Sequence, residues 1–214
     1  MKVVGRRALM LLATVGTLTI PAGAATPVSL TIRLYNSSGV TSEEMQSARR
    51  AAEAILADTG LAVAFRHCGR SPFTSAVDAC AEPLRPSEVV VRIIKAPAFS
   101  PTLHPDAYGM AYVVPETNRG WLATVFSDRI NNAAARLHVE PGTLLGLVAA
   151  HEVGHLLLGV AYHGEDGVMP ADLPDALLTR DDQEWRFSSN EAERLHRSLE
   201  SMTGTSASSP AVEF

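Results

Sequence analysis

Short apolar stretches, some alternating with polar residues and some continuous, are separated along the chain by glycine, proline and asparagine. They predict five β-strands, at residues 28–35, 61–65, 89–94, 110–114 and 122–126. The connections at 67–87 and 95–108 are long for a compact domain, and long loops in an enzyme often shape a substrate cleft. The pattern therefore indicates a sheet whose strands are joined by long excursions.

Helical periodicity occurs in other segments. Thr41 and Glu44 have the spacing of a capping box, and apolar residues then repeat at helical intervals until Gly60. A shorter helix is predicted over 129–137, and a terminal helix begins after Ser188. The mixture of strands and helices predicts an α+β fold.

The segment 144–158 differs from these helices because it is apolar almost all round. Pro141 stands at a position where the first residue of a helix is well tolerated. A helix of this kind must be buried, yet it carries His151, Glu152 and His155. Burial of two imidazoles and a carboxylate is costly unless a specific partner compensates them. A bound metal ion is one such partner, and ordinary hydrogen bonds within a core are the alternative.

Helical spacing brings the two histidines together. His151 and His155 lie four positions apart, so a helix places both imidazoles on one face, about 6 Å apart along the axis. Glu152 lies beside them, where its carboxylate can hold and deprotonate a water molecule. A catalytic zinc needs a third protein ligand, and His163 is the candidate. A continuous helix would carry His163 out of reach, so we expect Gly159 to end the helix in a left-handed conformation.

Other residues remain open for these roles. Four carboxylates are rivals for the third ligand position: Glu165, Asp166, Glu184 and Glu191. Four histidines have no ligand spacing and are predicted to occupy surface or loop positions: His67, His104, His138 and His196.

One set of residues resembles the zinc helix and methionine turn of the metzincin metallopeptidases: His151, Glu152, His155, Gly159, His163, Gly167, Val168 and Met169. The glycine and the third histidine follow the second histidine at intervals of four and eight residues, longer than the intervals of three and six typical of metzincins. In this spacing the chain is similar to bacterial secreted zincin-like proteins. The resemblance implies a zincin-like or metzincin-like catalytic domain with a mixed five-stranded sheet, packed helices and a zinc-binding active-site helix.

The resemblance also implies roles for individual residues. His151, His155 and His163 would bind Zn²⁺, Glu152 would be the general base, and Met169 would support the metal site from below. The function implied is that of a zinc metalloendopeptidase with a peptide or protein substrate.

The same resemblance suggests how a substrate would bind. The strand at 109–114 would border the cleft, and an extended peptide could add to it as a further strand. Tyr112 and Tyr162 are candidates for stabilising an oxyanion, although each could equally serve in packing.

The N-terminus predicts export. Lys2, Arg6 and Arg7 precede an apolar run too short to span a bilayer, and small residues follow up to Ala24. Residues 1–24 are therefore predicted to be a signal peptide, used by either the general or the twin-arginine route. The mature protein would be secreted or periplasmic, with no stable membrane anchor after cleavage.

The remaining chain is predicted to form one catalytic domain over residues 25–202, followed by a disordered tail over 203–214. The first strand begins a few residues after the cleavage site, so we expect no inhibitory pro-segment, and a protein inhibitor is a candidate partner. Cys68 and Cys80, the two cysteines of the chain, are predicted to form a disulfide in an oxidising compartment; two free thiols are the alternative.

The charge excludes one class of partner. The net charge is −5, and loss of residues 1–24 would remove three basic side chains and no acidic one. The mature chain then has no basic stripe for phosphates, so no nucleic acid partner is expected. Two other functions stay open: a non-catalytic secreted module that keeps its zinc as a structural element, and a zinc hydrolase that cleaves a non-peptide amide such as a cell-wall bond.

Overall fold

The computed structural model describes residues 28–69, 80–98, 103–159, 162–171, 173–180 and 184–204. The predicted signal peptide lies outside these residues, as does most of the predicted C-terminal tail. Within the described ranges, no helix is both long and apolar enough to cross a membrane.

Five strands form one mixed sheet. They are β1 (Ser29–Asn36), β2 (Ala62–His67), β3 (Glu88–Ile94), β4 (Gly109–Val114) and β5 (Arg119–Phe126), in the order β2-β1-β3-β5-β4. β1 is parallel to β2 and to β3, and β3 is parallel to β5. β4 is antiparallel to β5 and lies at the edge of the sheet. One side of the β4 main chain is therefore left without a neighbouring strand in this sheet.

Five helices accompany the sheet: α1 (Ser42–Ala57), α2 (Ser127–Leu137), α3 (Pro141–Leu158), α4 (Asp175–Leu178) and α5 (Ser189–Gly204). The predicted helices are present, and the mixed α+β class is confirmed. α4 was not predicted, because a helix of four residues is too short to show a helical period.

α1 begins where the capping box predicts. The Glu44 N–H donates to Thr41 Oγ1 at 3.2 Å, and the Thr41 N–H donates to Glu44 Oε2 at 2.8 Å. The buried face of α1, which includes Met45, Ala52 and Ile55, belongs to the same core as the apolar side of the sheet. α1 packs against one side of α3.

Two glycines let α1 and α3 approach closely. A Cβ on Gly142 would lie 2.5 Å from the Glu44 carbonyl oxygen, and a Cβ on Gly146 would overlap the Ala48 carbonyl. Larger residues at these positions would push the two helices apart. The contact fixes the N-terminal half of α3, and therefore the direction in which its C-terminal half presents its polar residues.

β5 starts earlier than the sequence predicts, at Arg119 rather than at residue 122. The prediction was wrong because Asn118 and Gly120 resemble loop residues. Gly120 is buried in the strand, where a Cβ would overlap both the Tyr112 carbonyl and the Leu156 side chain of α3. Glycine here marks a close approach of a helix to the strand, and not a loop.

A buried ion pair lies on the sheet in β1 and β3. Arg33 and Glu88 are 2% and 3% exposed, and the Arg33 guanidinium donates to the Glu88 carboxylate. Arg33 also donates to the carbonyls of Cys80 at 3.1 Å and Glu82 at 2.7 Å. Cys80 is joined by a disulfide to Cys68, with 5.6 Å between their Cα atoms. The disulfide and this arginine together attach residues 80–82 to the sheet.

The Glu88 carboxylate has a perturbed pKa. Burial by itself would raise it, but the hydrogen bonds from the Arg85 N–H and from Arg33 outweigh burial and lower the pKa below its usual value of 4.5. The folded state therefore binds this proton less readily than the unfolded state. The stabilisation by Glu88 is present above about pH 4.5 and is lost as the pH falls through the lowered folded pKa.

We predict that Glu88→Gln destabilises the protein by about 3–5 kcal/mol at neutral pH, because it leaves the buried Arg33 charge without its partner. The free energy of unfolding should also depend less steeply on pH in the acid range. Urea unfolding of both proteins between pH 3 and 7 measures the two effects. Glu82→Gln is the control, since Glu82 and Arg85 form an exposed pair at 3.8 Å that contributes little. Equal stability of Glu88→Gln and wild type would contradict this account.

Candidate metal centre

α3 carries the polar residues of the candidate site through the core. The Glu140 carboxylate caps its first turn by accepting from the N–H groups of Gly142 at 2.9 Å and Thr143 at 2.5 Å. Residues 150–158 of the helix are all buried. His151, Glu152 and His155 lie in this buried half, 5%, 5% and 8% exposed. The structure therefore contains the buried polar group that the sequence predicts.

Three histidines converge on one point. His151 and His155 come from consecutive turns of α3, and His163 comes from the segment after it. Their ring centroids are 4.7 Å apart for His151 and His155, 4.8 Å for His155 and His163, and 6.2 Å for His151 and His163. One ring nitrogen from each histidine lies within 4.8 Å of the others. His163 is exposed, so the group is open to solvent on one side.

The orientation of His151 is fixed by its second nitrogen. Nδ1 lies 2.8 Å from the Val168 carbonyl oxygen, which can only accept a hydrogen bond. Nδ1 therefore carries the proton, and Nε2 is left with a free lone pair directed at the other histidines. A histidine that binds a metal through one nitrogen usually donates from the other in this way.

Both buried imidazoles favour the neutral form that a metal ligand needs. Burial lowers the pKa of His151 below its usual value. Burial, followed by the proximity of His151 and His163, lowers the pKa of His155 to about 3. Nδ1 of His155 is buried without a hydrogen-bond partner among the described residues. An unsatisfied buried nitrogen of this kind costs free energy. The Nε2 atom of the same ring faces His151 Nε2, so a metal bound there would not satisfy Nδ1.

The donor spacing fits a zinc ion. The two Nε2 atoms of His151 and His155 are 3.1 Å apart. Two nitrogens that each lie about 2.0–2.1 Å from a tetrahedral zinc are separated by about 3.3 Å. The two α3 histidines thus have nearly the separation of two ligands of one zinc ion, and His163 lies where a third ligand could complete the set.

None of the four rival carboxylates joins this group. Glu165, Asp166 and Glu184 are exposed. Glu191 is 1% exposed, but its Oε2 accepts from the Ser188 N–H at 2.7 Å and so caps the start of α5. The geometry therefore favours His163 over the acidic alternatives.

Glu152 lies beside the histidines in an apolar surrounding. Burial raises the pKa of its carboxyl to about 8. The side chain lines the same cavity as the three histidines, of about 440 Å³. A carboxyl group whose pKa is close to neutral and which faces an open cavity is suited to accept and return a proton.

The cavity is bordered by the edge strand and by the loop before it. Besides the histidines and Glu152, it is lined by Asp106, Tyr108, Gly109, Met110 and Leu173, among others. Of these residues, only those of the strand at 109–114 were predicted from the sequence, because the others belong to no recognisable motif. His104 was predicted to occupy a loop, which it does, but it also lines the cavity.

No protein-family model matches the sequence, and no curated protein sequence matches it significantly. Solved structures do match. Archaemetzincin from Methanopyrus kandleri aligns with 85% of this chain and 99% of its own, at 16% sequence identity and a TM-score of 0.54. The chain has a zincin-like fold. Metalloproteinase-II from Bacteroides fragilis aligns with 83% of this chain and 55% of its own, at 16% identity and a TM-score of 0.46.

In this zincin-like fold, the turn at Met169 packs directly against α3. Met169 is fully buried, and a Cβ on Gly154 of α3 would lie 2.6 Å from its sulfur. The preceding residue, Val168, supplies the carbonyl that holds His151. Gly167 has a φ of 76°, a conformation that favours glycine, and so allows the turn. The turn therefore supports the helix by packing and orients one of its histidines.

The end of α3 differs in detail from the prediction. The helix does end at Leu158, but Gly159 has φ of 104° and ψ of 163°, which is not the left-handed helical conformation. This backbone conformation is accessible almost only to glycine. A Cβ at this position would also overlap the Asn118 side chain. Glycine is therefore needed at this position both for its backbone conformation and because Asn118 occupies the space of a side chain.

The two tyrosines considered for oxyanion stabilisation are not part of the cavity lining. Tyr112 lies on β4 and is 58% exposed. Tyr162 packs beneath the Arg194 guanidinium, 4.1 Å from the centre of its ring. Arg194 also donates to the Leu158 carbonyl at 3.2 Å, so this pair secures the end of α3. Packing is therefore the role that the geometry supports for Tyr162.

We predict that alanine at His151, His155 or His163 weakens zinc binding by more than the roughly 10–100-fold typical of outer-shell residues. Zinc content after dialysis and competition with a chelator measure the effect. His67→Ala is the matched control, because His67 is exposed on β2 and outside the cluster. If His163→Ala bound zinc with wild-type affinity, the third ligand would have to be a different residue.

Proposed function

We propose that the chain is a secreted or periplasmic zinc-dependent endopeptidase. His151, His155 and His163 hold the metal, and Glu152 is the general base. The observation that carries this proposal is the convergence of three imidazoles and Glu152 on one open cavity beside an edge strand. The fold that the chain shares with an archaemetzincin supports it.

The donor set is that of a catalytic site rather than a structural one. Structural zinc sites are closed by four protein ligands, whereas catalytic sites use three and leave a position open. The described part of the chain supplies three histidines and no fourth ligand to this group. Zinc bound there would polarise a substrate carbonyl and make water more acidic.

Glu152 supplies the proton transfers. Its carboxylate takes a proton from the water that attacks the scissile carbonyl and passes it to the amine that leaves. Its burial between α3 and the edge strand holds the carboxylate in the cavity without a competing shell of water. A general base works best when its pKa is near the working pH, and burial shifts this carboxyl in that direction.

The edge strand β4 is the means of substrate binding in this proposal. Its inner side is paired with β5, and its other side has no strand partner within the sheet. An extended peptide can pair with such an edge through main-chain hydrogen bonds, whatever its sequence. β4 residues Gly109, Met110 and Ala111 line the cavity, so a peptide on this edge would pass over the histidines.

Secretion is supported by the disulfide between Cys68 and Cys80, a bond that persists in oxidising compartments. The predicted signal peptide leads to the same location.

We predict that Glu152→Gln keeps zinc near one equivalent per chain and lowers kcat for a peptide substrate by at least about 10²–10⁴-fold. Glutamine keeps the size and polarity of glutamate but cannot accept the proton. The assay compares peptide-library cleavage and zinc content in wild type and variant, with Glu82→Gln as the control for an acidic residue on the surface.

The outcomes separate the proposal from its alternatives. Wild-type activity that persists in Glu152→Gln would contradict the mechanism. Bound zinc without hydrolysis of any peptide or cell-wall substrate would indicate a structural zinc module. Cleavage of cell-wall amides but not of peptides would keep the site and change the substrate class.

A further inference from the structure

Gly109, the first residue of β4, lies in direct contact with the side chain of Glu152. A Cβ built on Gly109 would lie 2.5 Å from Glu152 Oε1, 2.8 Å from Cγ and 2.9 Å from Cδ. Carbon atoms at these separations would overlap. The space that a side chain at position 109 would fill is occupied by the carboxylate.

The backbone conformation does not explain this glycine. Gly109 is not among the residues with positive φ, so other amino acids could adopt its conformation. Glycine within a strand weakens the strand, and it often marks a place where another group approaches closely. Here the approaching group is the proposed general base.

The main chain of each partner is held in place. The Tyr108 carbonyl accepts from the Phe126 N–H at 2.8 Å, and Gly109 pairs with Val125 of β5. Arg129 of α2 donates to the Ala107 carbonyl at 2.6 Å and holds the loop that leads into the strand. On the other side, the backbone of Glu152 belongs to the buried part of α3. An added methyl group would therefore displace the carboxylate rather than the main chain.

We infer that Gly109 is a positioning residue for Glu152: its missing side chain lets the carboxylate rest against the edge strand, at a fixed distance from the peptide that pairs with that strand. The inference rests on the proposed function. Gly109 would then contribute both to substrate binding and to proton transfer. It belongs to the strand that aligns the substrate, and its lack of a side chain determines where the Glu152 carboxylate lies.

A displaced Glu152 carboxylate should lower the turnover number. A displacement of about 1 Å of a catalytic group can cost about 10²-fold in rate. The main-chain groups of β4 that would bind the substrate are unchanged by Gly109→Ala. We therefore expect kcat to fall by about 10²-fold with KM and zinc content close to those of wild type.

A double-mutant cycle that measures thermal stability tests the contact between Gly109 and Glu152 without an activity assay. Gly109→Ala is compared in two backgrounds, wild type and Glu152→Ala, with both zinc-loaded. Overpacking in the wild-type background should lower Tm by about 2–4 °C, the low end of the usual range, because the carboxylate can move into the cavity. The shift should disappear in the Glu152→Ala background, where the methyl group has room. Gly204→Ala is the matched control, because a Cβ there meets nothing within 4 Å.

Equal shifts of Tm in the two backgrounds would overturn the inference, and so would a kcat for Gly109→Ala equal to that of wild type. If Gly109→Ala alone does not fold, recovery of folding in the double variant supports the contact, and failure to recover overturns it. A wild type without peptidase activity would reject the proposed function, whereas a coupled stability cycle would still support the contact between Gly109 and Glu152.

Discussion

The central constraint of this structure is the burial of three ionisable side chains on an apolar helix. α3 passes through the core with His151, Glu152 and His155 almost fully enclosed. Each of these groups costs free energy unless its bonding is completed. His151 has the Val168 carbonyl, but His155 retains an unpaired nitrogen and Glu152 has an elevated pKa. A cation bound by the Nε2 atoms of His151 and His155, which are 3.1 Å apart, would offset part of this cost, but it would leave Nδ1 of His155 unpaired.

Close packing around α3 sets the geometry of that site. Glycines let other elements touch the helix on three sides: α1 at Gly146, the Met169 turn at Gly154 and the edge strand β4 at Gly109. A residue with a side chain at any of these positions would force a shift in a dense interior. The positions of the three histidines and of Glu152 therefore depend on absent side chains at these glycines as well as on the residues themselves.

The sequence predicted the elements whose signals are local. The capping box at Thr41, the strand patterns and the spacing of His151 and His155 each depend on a few adjacent residues, and all are found in the structure. What it missed depends on contacts between distant segments. Gly120 resembles a loop residue in the sequence, because the reason for a glycine within the strand is its contact with Leu156. Gly109 has no recognisable role in the sequence, because its contact with Glu152 exists only in the folded structure. Spacing alone could not choose between His163 and the nearby carboxylates, because the path of the chain after α3 is a tertiary property.

The proposed mechanism requires a zinc ion held by three imidazoles with one position left open. X-ray absorption at the zinc edge of protein loaded with one equivalent measures the number and type of the atoms that bind zinc. We expect three imidazole nitrogens at about 2.0–2.1 Å, with oxygen in the remaining position. A site with only two imidazoles and a protein carboxylate, or with a fourth protein ligand in place of the open position, would contradict this mechanism.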